Sequence, residues 1–199
     1  MSIRTEHQDI VNALIRTAKK MYSLRYEMSD GGNMSARIPG TEYMIVKGTN
    51  VSFEITDMAS LVVTDFDGNI IEGEKKPSKE SLLHGALYKK LPELGAIMHV
   101  HSPYANAWAD AHTELEFATY HSEIKLKRFC PVFDAESYVV PTSYFPIIMK
   151  AFDEHPDMNS FILRKHGTVA LGKNIESATY LAELVEETAQ IAVLAHCIR

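Results

Sequence analysis

A chain of 199 residues is long enough to bury a core without disulfide or metal staples, and residues 1–199 are expected to form a single domain. Its 46% hydrophobic and 23% charged residues exclude a disordered, collagen-like or coiled-coil chain. The formal net charge of −6 argues against a nucleic-acid-binding surface, although a few local cations can still make one pocket receptive to an anion.

The opening MSIRTEHQDI carries charges where an export signal needs an apolar centre. The longest near-apolar run, ETAQIAVLAHCI, falls short of the ~20 residues that span a bilayer. Both point to a cytoplasmic protein with no membrane partner. Cys130 and Cys197 lie far apart in apolar surroundings and read as buried free thiols. Ile10, Leu14, Ala18 and Met21 recur at spacings of three and four, which predicts a helix from Glu6 to about Leu24. The Gly-rich break Asp30-Gly31-Gly32-Asn33 leads into strand-like segments at Met34–Ile38, Tyr43–Lys47, Leu61–Asp65 and Asn69–Glu72. Between the last two, Asp67-Gly68 has hairpin chemistry.

Pro77-Ser78 opens a helix to about Leu91, with Ser78 as N-cap and Ser81 as second choice. Gly95–Ser102 reads as an apolar strand, and Pro103 starts a helix to about His112. Phe129–Phe133 reads as a strand and Ser143–Glu154 as a helix. Two apolar stretches then flank Lys165-His166-Gly167, and a last helix runs from about Ile175 to Cys197. These elements predict an α/β fold of three layers, α/β/α, with a central, largely antiparallel or mixed sheet covered by helices on both faces.

His99-Val100-His101 carries the first chemical signal. Residues two apart on a strand project side by side and can chelate one ion, and imidazole suits zinc and its neighbours. His166, after an apolar strand and before a glycine, would complete an open three-histidine site. Glu80, in the first turn of the helix begun by Ser78, is the candidate for proton transfer, with His84 one turn later on the same face. The turns Asp30–Asn33 and Lys47-Gly48-Thr49-Asn50 expose backbone N–H groups that can cradle an anion, and Lys47 and Lys79 supply positive charge.

Taken in order, GGNMSAR (Gly31–Arg37), KGTN (Lys47–Asn50), PSKES (Pro77–Ser81), HVHSPYANAWA (His99–Ala109) and KHG (Lys165–Gly167) resemble the class II aldolase/adducin family over nearly the whole chain. The resemblance implies that His99, His101 and His166 hold a catalytic Zn²⁺ or another divalent transition metal. It makes Glu80 the general acid/base, able to ligate the metal in the resting enzyme. Asn33, Gly48, Ser78 and Lys79 fall on substrate- and phosphate-binding positions, with Lys47 beside them. Tyr120 falls loosely near the aldehyde-side proton donor. Three positions depart from the family pattern: Lys79 for a serine, Lys47 for a small hydroxyl residue, and Asp30 for a neutral one.

The implied reaction is reversible cleavage of a small ketose phosphate, of the fuculose 1-phosphate kind, to dihydroxyacetone phosphate and an aldehyde. An enediolate stabilised by zinc as Lewis acid would lie between them. A 4-epimerase, a decarboxylase or a dehydratase would use the same metal site, and Thr119-Tyr120-His121-Ser122-Glu123 is loosely similar to a stretch of the pentulose-phosphate epimerases. A non-catalytic scaffold like the adducin head predicts lost metal ligands, which this chain retains. Members of the family are commonly tetramers, so a homo-oligomer with sites at subunit boundaries is expected.

Overall fold

Successive strand residues point to opposite faces of a sheet, and here each face is apolar enough to take a layer of helices. The protein, described by a computed structural model over residues 2–198, builds its sheet from eight strands. These are β1 (Asn33–Arg37), β2 (Tyr43–Lys47), β3 (Leu61–Asp65), β4 (Ile70–Glu72), β5 (Ala96–Val100), β6 (Val132–Phe133), β7 (Ser160–Leu163) and β8 (Gly167–Gly172). Their order is β4-β3-β2-β1-β5-β8-β7-β6, and every neighbouring pair is antiparallel except β6 with β7.

Helices α1 (Ile3–Glu6), α2 (Gln8–Ser23), α3 (Ser81–Lys90), α4 (Pro103–Ala111), α5 (Tyr120–Lys125), α6 (Phe145–Glu154) and α7 (Ile175–Cys197) complete the chain. Leu14, Ala18 and Met21 of α2 and Ala178 and Ala182 of α7 pack on Met34, Ala36, Ala96 and Met98 from one sheet face. Leu83 and Leu87 of α3 and Ile148 and Phe152 of α6 pack on Met44, Ile97, Phe161 and Val169 from the other. On the α7 side, Ala105 and Trp108 of α4 and Leu126 after α5 meet Val185, Ala189 and Ile162. Each such side chain gains about 1.5–3 kcal/mol on burial, so the two faces hold the three layers together. This is the expected α/β/α architecture.

Several local expectations change. The first helix is interrupted at His7, and α5 falls in a stretch with no predicted element. The expected strand Phe129–Phe133 shrinks to two residues. Helix α3 starts at Ser81 rather than Ser78, because residues before it are held extended: Ser78 N–H donates to the Lys47 carbonyl at 3.0 Å, and Pro77 bridges Gly48. Cys130 is buried, with its thiol pushed up to about 12 by that burial, but Cys197 at the end of α7 is exposed. Among the described residues no helix is long and apolar enough to cross a membrane.

Candidate active site around three histidines

Strand alternation delivers the first ligand candidate. On β5, Ala96, Met98 and Val100 face α2 and α7, while Ile97 faces α3 and α6, so His99 shares the latter side. Asn33 of β1 lies directly across from His99 in the register. His101 follows two residues later, just past the strand end. His166 comes from the turn between β7 and β8, where Lys165 has φ 56°. A side chain at Gly167 would place its Cβ 2.3 Å from the Val100 carbonyl oxygen, so glycine there lets the turn close onto the end of β5.

The three rings converge. Nε2 of His99 lies 3.2 Å from Nε2 of His166 and 3.2 Å from Nε2 of His101. The Nδ1 of His99 faces the Thr168 carbonyl at 3.0 Å and must carry the proton, and that of His101 faces Glu27 Oε1 at 3.4 Å. Both Nε2 atoms are then bare lone pairs aimed at one another, an arrangement that asks for a cation between them. Nitrogens about 2.0–2.1 Å from a tetrahedral zinc stand about 3.3 Å apart, which matches. Burial, with repulsion from the neighbouring rings, holds His99 well below the usual imidazole range and pulls His166 down to about 4. His99 and His166 are therefore neutral near pH 7, as metal ligands must be. The donor set therefore fits a divalent transition metal.

Glu80 sits beside this centre, at the N-cap position of α3 rather than in its first turn, with φ −90° and ψ 4°. It is 5% exposed. Its Oε2 lies 3.4 Å from His99 Nε2 and has no hydrogen-bond partner, while Oε1 accepts the Val140 N–H at 3.3 Å. Burial raises its pKa, against weaker lowering by the Val140 N–H, the Asn33 side chain and His101. A carboxyl lifted this way beside a metal position suits proton transfer. His84 does not reach out to react: it is fully buried, its Nδ1 is paired with Ser35 Oγ at 2.8 Å, and burial drops it to about 3.

An open cavity of about 250 Å³ leads to Glu80, His101 and His166, and Asn33, Ser78, Lys79, Lys47, Asp30 and Tyr138 are among its walls. Lys79 is exposed, with its ammonium 5.2 Å from the Tyr138 ring. Lys47 is buried, its Nζ donating to the carbonyls of Val51 and Asp30. Two expected residues are placed differently. The Gly48 N–H is engaged by the Ser60 carbonyl at 2.8 Å, and Gly48 is not in the cavity wall. Tyr120 is 86% exposed at the start of α5 and does not line the cavity either. The structure adds Glu27 behind His101 and Tyr138 at the mouth, two residues the sequence motifs do not mark. Size does not single out this cavity, since hollows of about 650 and 750 Å³ lie elsewhere, but neither gathers the three rings.

Comparison with known proteins agrees with this geometry. The family described as "Class II Aldolase and Adducin N-terminal domain" matches residues 12–193. The chain is 30% identical over 180 residues to an L-fuculose phosphate aldolase of Methanococcus maripaludis, covering 89% of this chain and 92% of that one. It is also 30% identical over 176 residues to an L-ribulose-5-phosphate 4-epimerase of Salmonella typhi, covering 84% and 76%. A solved L-fuculose 1-phosphate aldolase superposes with a TM-score of 0.85 at 26% identity, over 96% of this chain and 87% of that chain. The chain belongs to the class II aldolase and adducin family.

Proposed function

We propose that this protein is a metal-dependent aldolase that reversibly cleaves a small ketose phosphate to dihydroxyacetone phosphate and an aldehyde. The observation that carries the reading is the convergence of three imidazoles beside a buried carboxyl whose pKa is raised. A divalent ion, taken as zinc, held by His99, His101 and His166 would supply Lewis acidity to the carbonyl and the adjacent hydroxyl of the substrate. Glu80 then holds and returns the proton at the carbon that becomes nucleophilic, and burial shifts its carboxyl in the direction this requires.

Asn33 steadies the Glu80 carboxyl and, with Ser78, presents polar groups to the substrate. Lys79 at the mouth and Lys47 in the wall would hold the anionic end, and the Asp30 carboxylate beside them would weaken that attraction. Exposed Tyr120 can serve as the aldehyde-side proton donor only across a boundary between subunits. That role fits the homo-oligomer, a tetramer by family resemblance, that light scattering would detect.

The similarity to an epimerase supports a second reading on the same site, interconversion of pentulose 5-phosphates. A panel of ketose phosphates and hydroxy acids, with zinc-loaded protein, separates the two: triose release marks the aldolase, conversion of ribulose 5-phosphate to xylulose 5-phosphate without triose the epimerase, and carbon dioxide a decarboxylase. In the productive assay Glu80→Gln should lower kcat by about 10²–10⁴. Turnover within about tenfold of wild type would remove Glu80 from the proton-transfer role.

A further inference from the structure

Behind the metal position lies a carboxylate that the reaction itself does not use. Glu27 is only 2% exposed, and a buried carboxylate is costly unless its oxygens are paired. Its Oε2 accepts the backbone N–H of His101 at 2.9 Å. Its Oε1 accepts the Met28 N–H at 3.1 Å and stands 3.4 Å from His101 Nδ1. Among the described residues, its ion-pair partner within 4.0 Å is this one ring.

Two further features show that the site is shaped around this pair. The chain leaving α2 turns back at Arg25, with φ 62°, and the N–H groups of Tyr26 and Glu27 both return to the Met21 carbonyl, so Glu27 is delivered by a fixed wrap. The Gly31-Gly32 turn then roofs the contact. A Cβ on Gly31 would fall 2.6 Å from Glu27 Oε1 and 2.8 Å from His101 Nδ1, and one on Gly32, where φ is +56°, would fall 2.3 Å from Glu27 Oε2. Both glycines are thus needed for close approach to Glu27 and His101.

We propose that Glu27 is a positioning residue that fixes the orientation and tautomer of His101. The carboxylate accepts the backbone N–H of His101 and draws the ring proton to the Nδ1 that faces it, which turns the ring and leaves Nε2 bare for a metal. The three imidazoles are then unequal: His99 is oriented by a neutral carbonyl, His101 by a charged carboxylate, and Nδ1 of His166 has no hydrogen-bond partner. A ligating histidine whose outer nitrogen donates to a carboxylate is a stronger base toward metal, and losing such a partner typically costs 10–100-fold in affinity.

Glu27→Gln tests this with little change of volume. An amide has a single acceptor oxygen, so it cannot satisfy both the His101 N–H and Nδ1–H. Either the amide NH₂ faces Nδ1 and drives the proton to Nε2, or it opposes the backbone N–H. The inference rests on the metal-binding reading given under the proposed function, and the measurements separate the two. Zinc affinity by chelator competition should fall about 10–100-fold in Glu27→Gln, with the metal-free fold unchanged by circular dichroism and turnover recovering in excess zinc. In metal-free wild-type protein labelled with ¹⁵N-histidine, long-range ¹H–¹⁵N spectra should show His101 protonated at Nδ1 and bare at Nε2. Should Glu27→Gln fail to fold, that wild-type spectrum decides alone. A variant affinity within about twofold of wild type, or a bare Nδ1 on His101, overturns the role of Glu27 and leaves the metal site standing. A wild-type protein that takes up no zinc overturns both.

Discussion

Lys47 is a cation hidden by the fold, 1% exposed, and burial lowers it to about 8, against opposing pulls from Glu27 and Asp30. An ammonium has three protons, and two go to the Val51 and Asp30 carbonyls, which leaves one for an anion in the cavity. Below about pH 8 the charge is in place; above it the charge is lost, while a substrate phosphate stays dianionic. KM for a phosphorylated substrate should therefore be level from pH 7 to 8 and climb above about 8. Stability should move the other way. Between about 8 and the ordinary lysine value the unfolded chain binds a proton that the folded one has released, so unfolding free energy rises with pH from this group. Lys47→Gln should raise KM roughly 10–100-fold, the worth of a charge-assisted hydrogen bond, and lose the alkaline rise. A wild-type KM that stays flat to pH 9.5 would remove Lys47 from the anion site.

Helix α4 starts two residues after His101, so whatever anchors its first turn also anchors that ring. Ser102 holds the N-cap position, but its hydroxyl makes no cap. The orphan N–H groups of Tyr104 and Ala105 donate instead to Glu186 of α7, at 2.9 and 2.8 Å. Glu186 is 2% exposed and meets the positive end of the α4 dipole. Glu186→Gln leaves one acceptor for two donors, which costs about 1–3 kcal/mol. Urea titration should show a lower midpoint at unchanged m value, whereas an unchanged midpoint would mean that α4 is held by packing alone. Such a cap has no local signature, because donor and acceptor lie some 80 residues apart. What the sequence makes legible is what is local or motif-borne: the apolar stripe of α2, the hairpin at Asp67-Gly68, Pro103 at the start of α4, and the His99/His101 pair. His166 and Glu80 are candidates from their local setting, and the family motifs give them their roles. Glu27 and Tyr138 stay hidden because distant packing brings them in. Ser78 misleads as a cap because its N–H is already paired across to Lys47, a tertiary constraint that outweighs the helix-start pattern.

Across the whole molecule, the same layers that assemble the site store neutral imidazoles in the interior. Burial takes His84 to about 3 and His166 to about 4, and holds His99 well below the ordinary value. In the unfolded chain each would titrate near 6.5. As pH falls below that value the unfolded state gains protons that the folded state refuses, so unfolding free energy drops. At pH 5 this amounts to about 2 kcal/mol each for His84 and His166, a sizeable share of the 5–15 kcal/mol typical of a whole domain. Glu80 acts in the opposite sense: its raised pKa makes the charged form costly, and acid relieves that cost. It is one group against three. Metal-free protein should therefore lose several kcal/mol between pH 7 and 5 in urea titrations, with the loss continuing toward pH 4. His84→Asn keeps a polar atom near Ser35 while removing a titrating ring, so its loss over the same interval should be smaller by about 2 kcal/mol. Saturating zinc should raise stability and steepen the acid fall, because a ligand set of neutral rings releases its ion as the rings protonate. Equal pH dependence in wild type and His84→Asn would mean that His84 takes up its proton as readily folded as unfolded, and that the interior tolerates a cation where its burial says otherwise.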